Sequence, residues 1–273
     1  MKRTVFAYPY VVWMLIFILA PMLMIAYYAF TSDGAFTLAN LTGALTNEMY
    51  MQVLLRSVWI ALKATVVCLL LGYPIAYLLS KMKRSTASLL SVLFIVPMWM
   101  NFVLRTYAWQ AILEYAIPNM LGWTDKTLTG SVWAVMMVLV YNFIPFMVMP
   151  LYNSLSKIDR SLIEASGDLG ANGRMTFFKV VLPLSVPGIV SGITMVFIPA
   201  ITAFTVPALI GNGNYNLYGN EIEMAFKQAA GSAGSADYSV GSTLAIILLI
   251  CVFISTAVMN RFDKDHEEGG NLL

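Results

Sequence analysis

The residues with the most specific spacing in this chain lie in one stretch, Ser161-Leu162-Ile163-Glu164-Ala165-Ser166-Gly167, followed by Gly170, Asn172 and Leu182-Pro183. A serine three residues before a glutamate has the spacing of a capping box, in which hydroxyl and carboxylate satisfy free backbone donors at a helix start. Gly170 is then expected to stop that helix by taking the left-handed conformation. Asn172 is placed to cap a second helix, which Pro183 is expected to close. Between cap and stop, Ala165, Ser166 and Gly167 form a face without bulk, as needed where one helix enters a groove of another protein. The residues by themselves support that docking role and an ordinary surface helix equally.

A second group carries polar chemistry in apolar surroundings. Asn101 and Arg105 are one helical turn apart, followed by Tyr107 and Trp109. An ionisable residue in a membrane span is a candidate functional group, while an arginine beside aromatic residues also has the composition of an interfacial belt. The belt reading places Arg105 as an anchor or at a pore mouth. Tyr73-Pro74 and Asn142, three residues before Pro145, are further candidates, because a proline frees a carbonyl that protein or water must satisfy. Helix packing is the competing role for each. Catalytic patterns are missing from the sequence: it has no G-x-x-x-x-G-K-[ST] loop and no cysteine-histidine metal spacing, and its single histidine is His266 in the tail. The chain is therefore expected neither to hydrolyse ATP nor to bind a cofactor or metal.

These residues sit in a sequence for which water is not the main solvent. It is 59% hydrophobic and 11% charged over 273 residues, with a mean hydropathy of +0.76, far from the quarter of charged residues usual in soluble domains. A bilayer core takes about 20 apolar residues per helix. Six such runs occur, Val5 to Phe30, Ser57 to Leu79, Leu89 to Trp109, Val132 to Leu155, Val186 to Ile210 and Val240 to Met259, with a kink expected at Pro199 in the fifth. The first, uncharged from Thr4 to Ser32, is too long for a signal-peptide core and is read as an uncleaved helix. Residues Glu221 to Ala230 are expected to form a short surface helix on the outer side.

An even number of spans puts both termini on one side. The connections on that side carry Lys2, Arg3, Lys81, Lys83, Arg84, Lys157, Arg160, Arg174, Lys179, Arg261 and Lys264; the others carry Arg56, Arg105, Lys126 and Lys227. Eleven against four places both termini in the cytoplasm. Lys63, within the second run, is read as snorkelling to an interface. Cys68 and Cys251 lie inside apolar runs and do not suggest a disulfide framework. A net charge of +2 with scattered basic residues gives no support for nucleic acid.

The 157–182 loop is also where the sequence becomes recognisable. Glu164-Ala165-Ser166, Gly170 and Leu182-Pro183 resemble the EAA motif of binding-protein-dependent ABC importer permeases, with Ser166 in place of the second alanine and Val180 in place of isoleucine. Gly72-Tyr73-Pro74-Ile75-Ala76-Tyr77 and the segment Asn101 to Trp109 resemble the matching spans of the spermidine and putrescine permeases in that family. The resemblance implies an all-α membrane protein of about six transmembrane helices with the type I importer permease (MetI-like) fold. It implies a single permease domain over 1–273, in which Glu164, Ala165, Ser166, Gly170, Leu182 and Pro183 belong to the loop that couples to an ATPase. Asn101, Arg105, Tyr107, Trp109, Tyr73 and Asn142 are then candidates for the substrate pathway. The implied partners are a second, non-identical permease, an ABC ATPase dimer that holds ATP and magnesium, an extracytoplasmic solute-binding protein and the lipid bilayer.

Related permeases for iron, sulfate or other small solutes share this architecture. From other classes, a secondary transporter needs acids buried in its spans, and none of the six runs contains Asp or Glu. A membrane scaffold would show no substrate-stimulated ATP hydrolysis, and a simple channel would conduct without ATP.

Overall fold

The structure is a computed structural model that describes residues 8–32, 34–122, 127–231 and 237–270. Lys2, Arg3, Val5, Asp125, Lys126 and residues 232–236 lie outside the described residues. Among the described residues four helices are long and apolar enough to cross a membrane: α1 (Pro9–Ala29), α2 (Glu48–Lys81), α5 (Val132–Leu155) and the first part of α11 (Ser239–Gly270). Two bent pairs, α3 (Arg84–Trp99) with α4 (Phe102–Met120), and α7 (Gly173–Leu184) with α8 (Val186–Ile201), bring the total to six if each pair is one span. Between them lie the short helices α6 (Arg160–Asp168), α9 (Thr205–Ile210) and α10 (Tyr218–Gly231).

The core is a three-helix contact in which α5 packs against both α2 and α8, and α2 against α8. Close approach comes from small residues. A Cβ on Gly188 would lie 2.5 Å from Ser154 Cβ and 2.9 Å from the Pro150 carbonyl oxygen, and one on Gly192 would lie 2.6 Å from Met147 Sδ. Across Met147, the space in front of Gly72 of α2 closes to 3.0 Å. The fully buried Met147 thus fills the slot between α2 and α8. Gly188 and Gly192 have G-x-x-x-G spacing, the pattern by which membrane helices pack without a hydrophobic driving force between them. By contrast, the apolar side chains of α1 are almost all exposed, and α1 rests on α11.

Three of the expected spans differ in the structure. The second begins at Glu48 rather than Ser57, so α2 has 34 residues. At about 1.5 Å per residue it is about 51 Å long, well beyond a hydrocarbon core of about 30 Å. Lys63 lies exposed on it, with its ammonium 5.8 Å from the centre of the Trp59 ring. The third run is not one helix: α3 and α4 meet at 85°. Met100 is extended and Asn101 accepts from the amides of Val103 at 2.8 Å and Leu104 at 3.3 Å. This is a helix stop and restart, signalled by Pro97 and a capping asparagine four residues later. Because α4 extends to Met120, it includes Glu114, which accepts from the Gln110 amide at 3.5 Å.

Just before the fifth run, α7 and α8 meet at 61° at Ser185, and α8 continues through Pro199 to Ile201. The Val186 to Ile210 run is also broken after Ile201, with α9 beginning at Thr205. Helix α10 starts earlier than expected, and its first turn is buried rather than superficial. The Tyr218 amide donates to Ser57 Oγ at 2.7 Å, and the Asn220 amide donates to the Phe204 carbonyl at 2.7 Å.

Candidate functional site

In the 157–185 segment, α6 and α7 form a helix pair whose geometry follows from local hydrogen bonds. The cap of α6 is Asp159, not Ser161: its carboxylate accepts from the Ser161 amide at 3.0 Å. That bond and a second from the Ser161 hydroxyl hold the Asp159 carboxyl below the usual carboxylate range. The expected Ser161–Glu164 capping box does not form, and Glu164 is exposed. Asp159 wins because an aspartate is at least as good a cap as serine and lies in extended backbone immediately before the helix.

Gly170 ends α6 as expected, with φ at +83°. The Ala171 amide donates to the Ser166 carbonyl at 3.0 Å and the Gly170 amide to Gly167 at 2.8 Å, the two bonds of a Schellman motif. Asn172 caps α7 by accepting from the Met175 amide at 2.9 Å. Pro183 does not close this helix, since α7 runs on to Leu184. A π-helical turn, Phe177–Val181, precedes the proline, and such a widened turn relieves the clash of a proline ring with the carbonyl four residues back.

The structure separates the small residues of this loop. Ala165 and Gly167 are exposed, but Ser166 is buried. Its hydroxyl bonds the Ile163 carbonyl at 2.7 Å and pairs with Thr176 Oγ1 at 2.9 Å, tying α6 to α7. Ser166 therefore shapes the helix pair from inside rather than belonging to its outer face. That outer face is more apolar than the motif suggested. Leu169 is 88% exposed, and Leu162, Ile163, Met175 and Phe178 are exposed with it. Exposed apolar side chains grouped at the end of a short polar helix mark an interaction surface. Their identity was legible in the sequence, whereas their common exposure required the turn at Gly170.

The candidate pathway residues fall into different settings. Tyr73 is half-buried, and its hydroxyl pairs with Ser185 Oγ at 2.9 Å, so it fastens α2 to the α7–α8 bend. Its ring stands edge-on to Phe177 at 5.8 Å. Asn101 spends its carbonyl oxygen on the α4 cap. Tyr107 is exposed. Trp109 meets Tyr141 of α5 at 5.2 Å, and Phe102 stacks with Phe143 of α5 at 6.4 Å. Arg105, on the same face of α4 as Phe102 and Trp109, is 8% exposed, with its guanidinium 5.9 Å from the Phe102 ring and Nε without a hydrogen bond. It is buried, unlike an interfacial anchor. Asn142, between Tyr141 and Phe143 on α5, is 1% exposed, and both of its amide atoms lack a partner among the described residues. Arg105 of α4 and Asn142 of α5 are thus two buried polar side chains with atoms that make no hydrogen bond among the described residues.

At the opposite end of α2 from the α6–α7 pair, Glu221 and Asp237 line one cavity of about 440 Å³ together with Tyr50. Hydrogen bonds from Ser239 hold the Asp237 carboxyl below its ordinary range. Glu223 is instead paired with Lys227 at 2.7 Å.

Comparison with known proteins gives a consistent result. The chain is 38% identical over 255 residues to the spermidine/putrescine transport system permease protein PotB of Escherichia coli (strain K12), covering 88% of this chain and 92% of that protein. It is 36% identical over 265 residues to PotB of Haemophilus influenzae, covering 91% and 92%. Among solved structures, a bacterial ABC transporter involved in the import of the acidic polysaccharide alginate superposes with a TM-score of 0.71 at 17% identity, covering 95% of this chain and 96% of the other. The MetNI methionine ABC transporter, in inward-facing conformations, gives 0.57 at 22% identity over 81% and 99%. At these identities the structural matches establish the fold. The profile described as binding-protein-dependent transport system inner membrane component matches residues 68–267, more than half of the chain, and with the PotB relatives it shows that this protein is a member of that family of multi-pass inner-membrane permeases.

Proposed function

We propose that this chain is one permease half of an ATP-driven importer that carries spermidine and putrescine, or polycations like them, into the cytoplasm. The observation that carries this reading is its 38% identity, over most of both chains, to a spermidine/putrescine permease. The outer cavity with Glu221, Asp237 and Tyr50 supports it, because carboxylates concentrate cations at a pathway entrance and aromatic faces attract them. Both termini and the α6–α7 pair face the cytoplasm in this reading. A second, non-identical, PotC-like permease completes the pathway, an extracytoplasmic binding protein delivers solute, and two ATPase subunits bind ATP and magnesium. This chain binds no cofactor and catalyses no reaction.

In this arrangement Glu164, Ala165 and Gly170 present α6 to the ATPase, while Ser166, Leu182 and Pro183 set the angle of α7 behind it. Closure of the ATPase dimer moves α6, and the Tyr73–Ser185 hydrogen bond passes that motion from the α7–α8 bend to α2. Arg105 and Asn142 lie along the pathway wall, where a buried guanidinium repels a polycation and keeps it from resting at that depth. The test is uptake of labelled spermidine and putrescine in a strain lacking the gene, with and without its restoration. Uptake that depends on the gene supports the assignment. Unchanged polyamine uptake with loss of another solute moves the substrate elsewhere in the family. A cysteine at Leu169 that reacts only with membrane-impermeant reagent added from outside the cell would reverse the orientation.

A further inference from the structure

At the end of the bundle beside α6, a cavity of about 860 Å³ is lined by Lys81, Lys83, Arg84, Lys157, Arg160 and one carboxylate, Glu164. The positive-inside tendency accounts for basic residues at this end of the helices. It does not account for five of them lining a single concavity. Among the described residues none of the five forms an ion pair, and only Lys81 has another charge-stabilising contact, 4.2 Å above the Tyr77 ring.

The backbone adds charge of the same sign. Lys83 and Arg84 stand at the start of α3, a 16-residue helix whose N-terminus has no side-chain cap. A helix N-terminus carries about half a positive charge and ordinarily attracts acidic residues. Here the dipole, the ammonium and the guanidinium repel one another, and an anion held among them offsets all three. We propose that this cavity binds the phosphate of an anionic phospholipid headgroup in the leaflet on the α6 side.

The phosphate comes from a lipid rather than from solution because the site is continuous with apolar surface. Met82 lines the cavity and is exposed, and Leu78, one turn earlier in α2, is 59% exposed. A phosphate seated between Lys83 and Arg84 therefore has apolar side chains beside it for its acyl chains. Basic pockets between membrane helices hold such headgroups by this combination of charge and adjoining apolar surface. The bound lipid would brace the α2–α3 connection against the start of α6, both of which line the cavity. Placement in the cytoplasmic leaflet rests on the orientation given above, whereas lipid binding itself does not.

The test uses the full chain purified in its transporter complex and exchanged into nanodiscs of phosphatidylcholine containing a minor fraction of phosphatidylglycerol. Retained lipid is measured by mass spectrometry. Lys83→Gln with Arg84→Gln is compared with Arg174→Gln with Lys179→Gln, which removes equal charge from α7 outside the cavity. At roughly fivefold per basic residue, the cavity pair is expected to weaken phosphatidylglycerol retention about 25-fold, and the α7 pair to change it little. Equal losses in the two pairs would overturn the site in favour of diffuse attraction. Full displacement of phosphatidylglycerol by inorganic phosphate would overturn the lipid source. Retention that appears only in the chain stripped of its ATPase would identify a protein as the occupant and overturn the proposal. Because retention is read without transport, a wrong substrate assignment leaves the result intact.

Discussion

Gly170 offers the sharpest test of how the loop works, because its substitution isolates backbone conformation from packing. Its φ is +83°, and a Cβ added there meets nothing within 4 Å. A substitution therefore costs only what an L-residue pays for left-handed backbone, about 1–2 kcal/mol. Valine, branched at Cβ, lies at or above the upper end, alanine within the range, and asparagine below it, since asparagine enters this region most readily of the non-glycine residues. The alternative to bearing that strain is to open the turn, breaking the Ala171–Ser166 and Gly170–Gly167 hydrogen bonds and separating Ser166 from Thr176. A penalty of 1–2 kcal/mol reduces the population of the native helix pair about 5- to 30-fold relative to opened forms. Apolar residues contribute roughly 0.3–0.6 kcal/mol each to insertion at the centre of a span, so the spans themselves still enter the membrane. Membrane abundance, co-purification of the ATPase and substrate-stimulated ATP hydrolysis should be measured for Gly170→Asn, Gly170→Ala and Gly170→Val. Normal abundance is expected, with coupling falling in the order Asn, Ala, Val. Equal, wild-type coupling in all three would refute a role for this turn, and a parallel loss of abundance would refute the separation of docking from folding.

Three further outcomes follow from individual contacts. Gly188→Leu drives a side chain into Ser154 and the Pro150 carbonyl; overpacking of this kind costs about 1–3 kcal/mol, so membrane abundance and thermal stability in detergent should fall, whereas Gly167→Leu, in open space on α6, should leave both unchanged. Tyr73→Phe removes the hydrogen bond to Ser185 at a cost of about 1 kcal/mol, and in a double-mutant cycle Ser185→Ala should add little to it; full additivity in thermal stability would show that the bond does not act. Because the Asp159 carboxyl is held below its unfolded value, its contribution to α6 is complete above about pH 3.9 and is lost as pH falls through the lower folded value. Amide exchange at Ser161 and Leu162 should therefore match between wild type and Asp159→Asn, which retains a cap, from pH 5 to 8 and diverge only in acid; divergence at neutral pH would contradict this.

What the sequence determined is what depends on solvent and on a few neighbouring residues. Composition alone excluded water as the main solvent, and the lengths of the apolar runs set about six spans. The Gly170 stop and the Asn172 cap were legible because each is made by residues within five positions of one another. Even there the choice of Asp159 over Ser161 turned on two residues of register, which motif spacing does not resolve. Tertiary structure decided everything that requires distant residues to meet. The break at Met100–Asn101 carries local signals in Pro97 and Asn101, but its 85° angle and the 61° bend at Ser185 are set only when the helices pack. Proline alone did not fix the helix breaks, since α8 continues through Pro199. The bonds from Tyr73 to Ser185 and from Ser57 to Tyr218 span 112 and 161 positions, and Ser166 was turned from an outer face to an inner one by its pairing with Thr176. In an apolar chain nearly every helix face is hydrophobic, so periodicity separates lipid-facing from protein-facing sides only weakly. Close packing of glycines against Met147, and the burial of Arg105 and Asn142, emerge only when the helices are assembled.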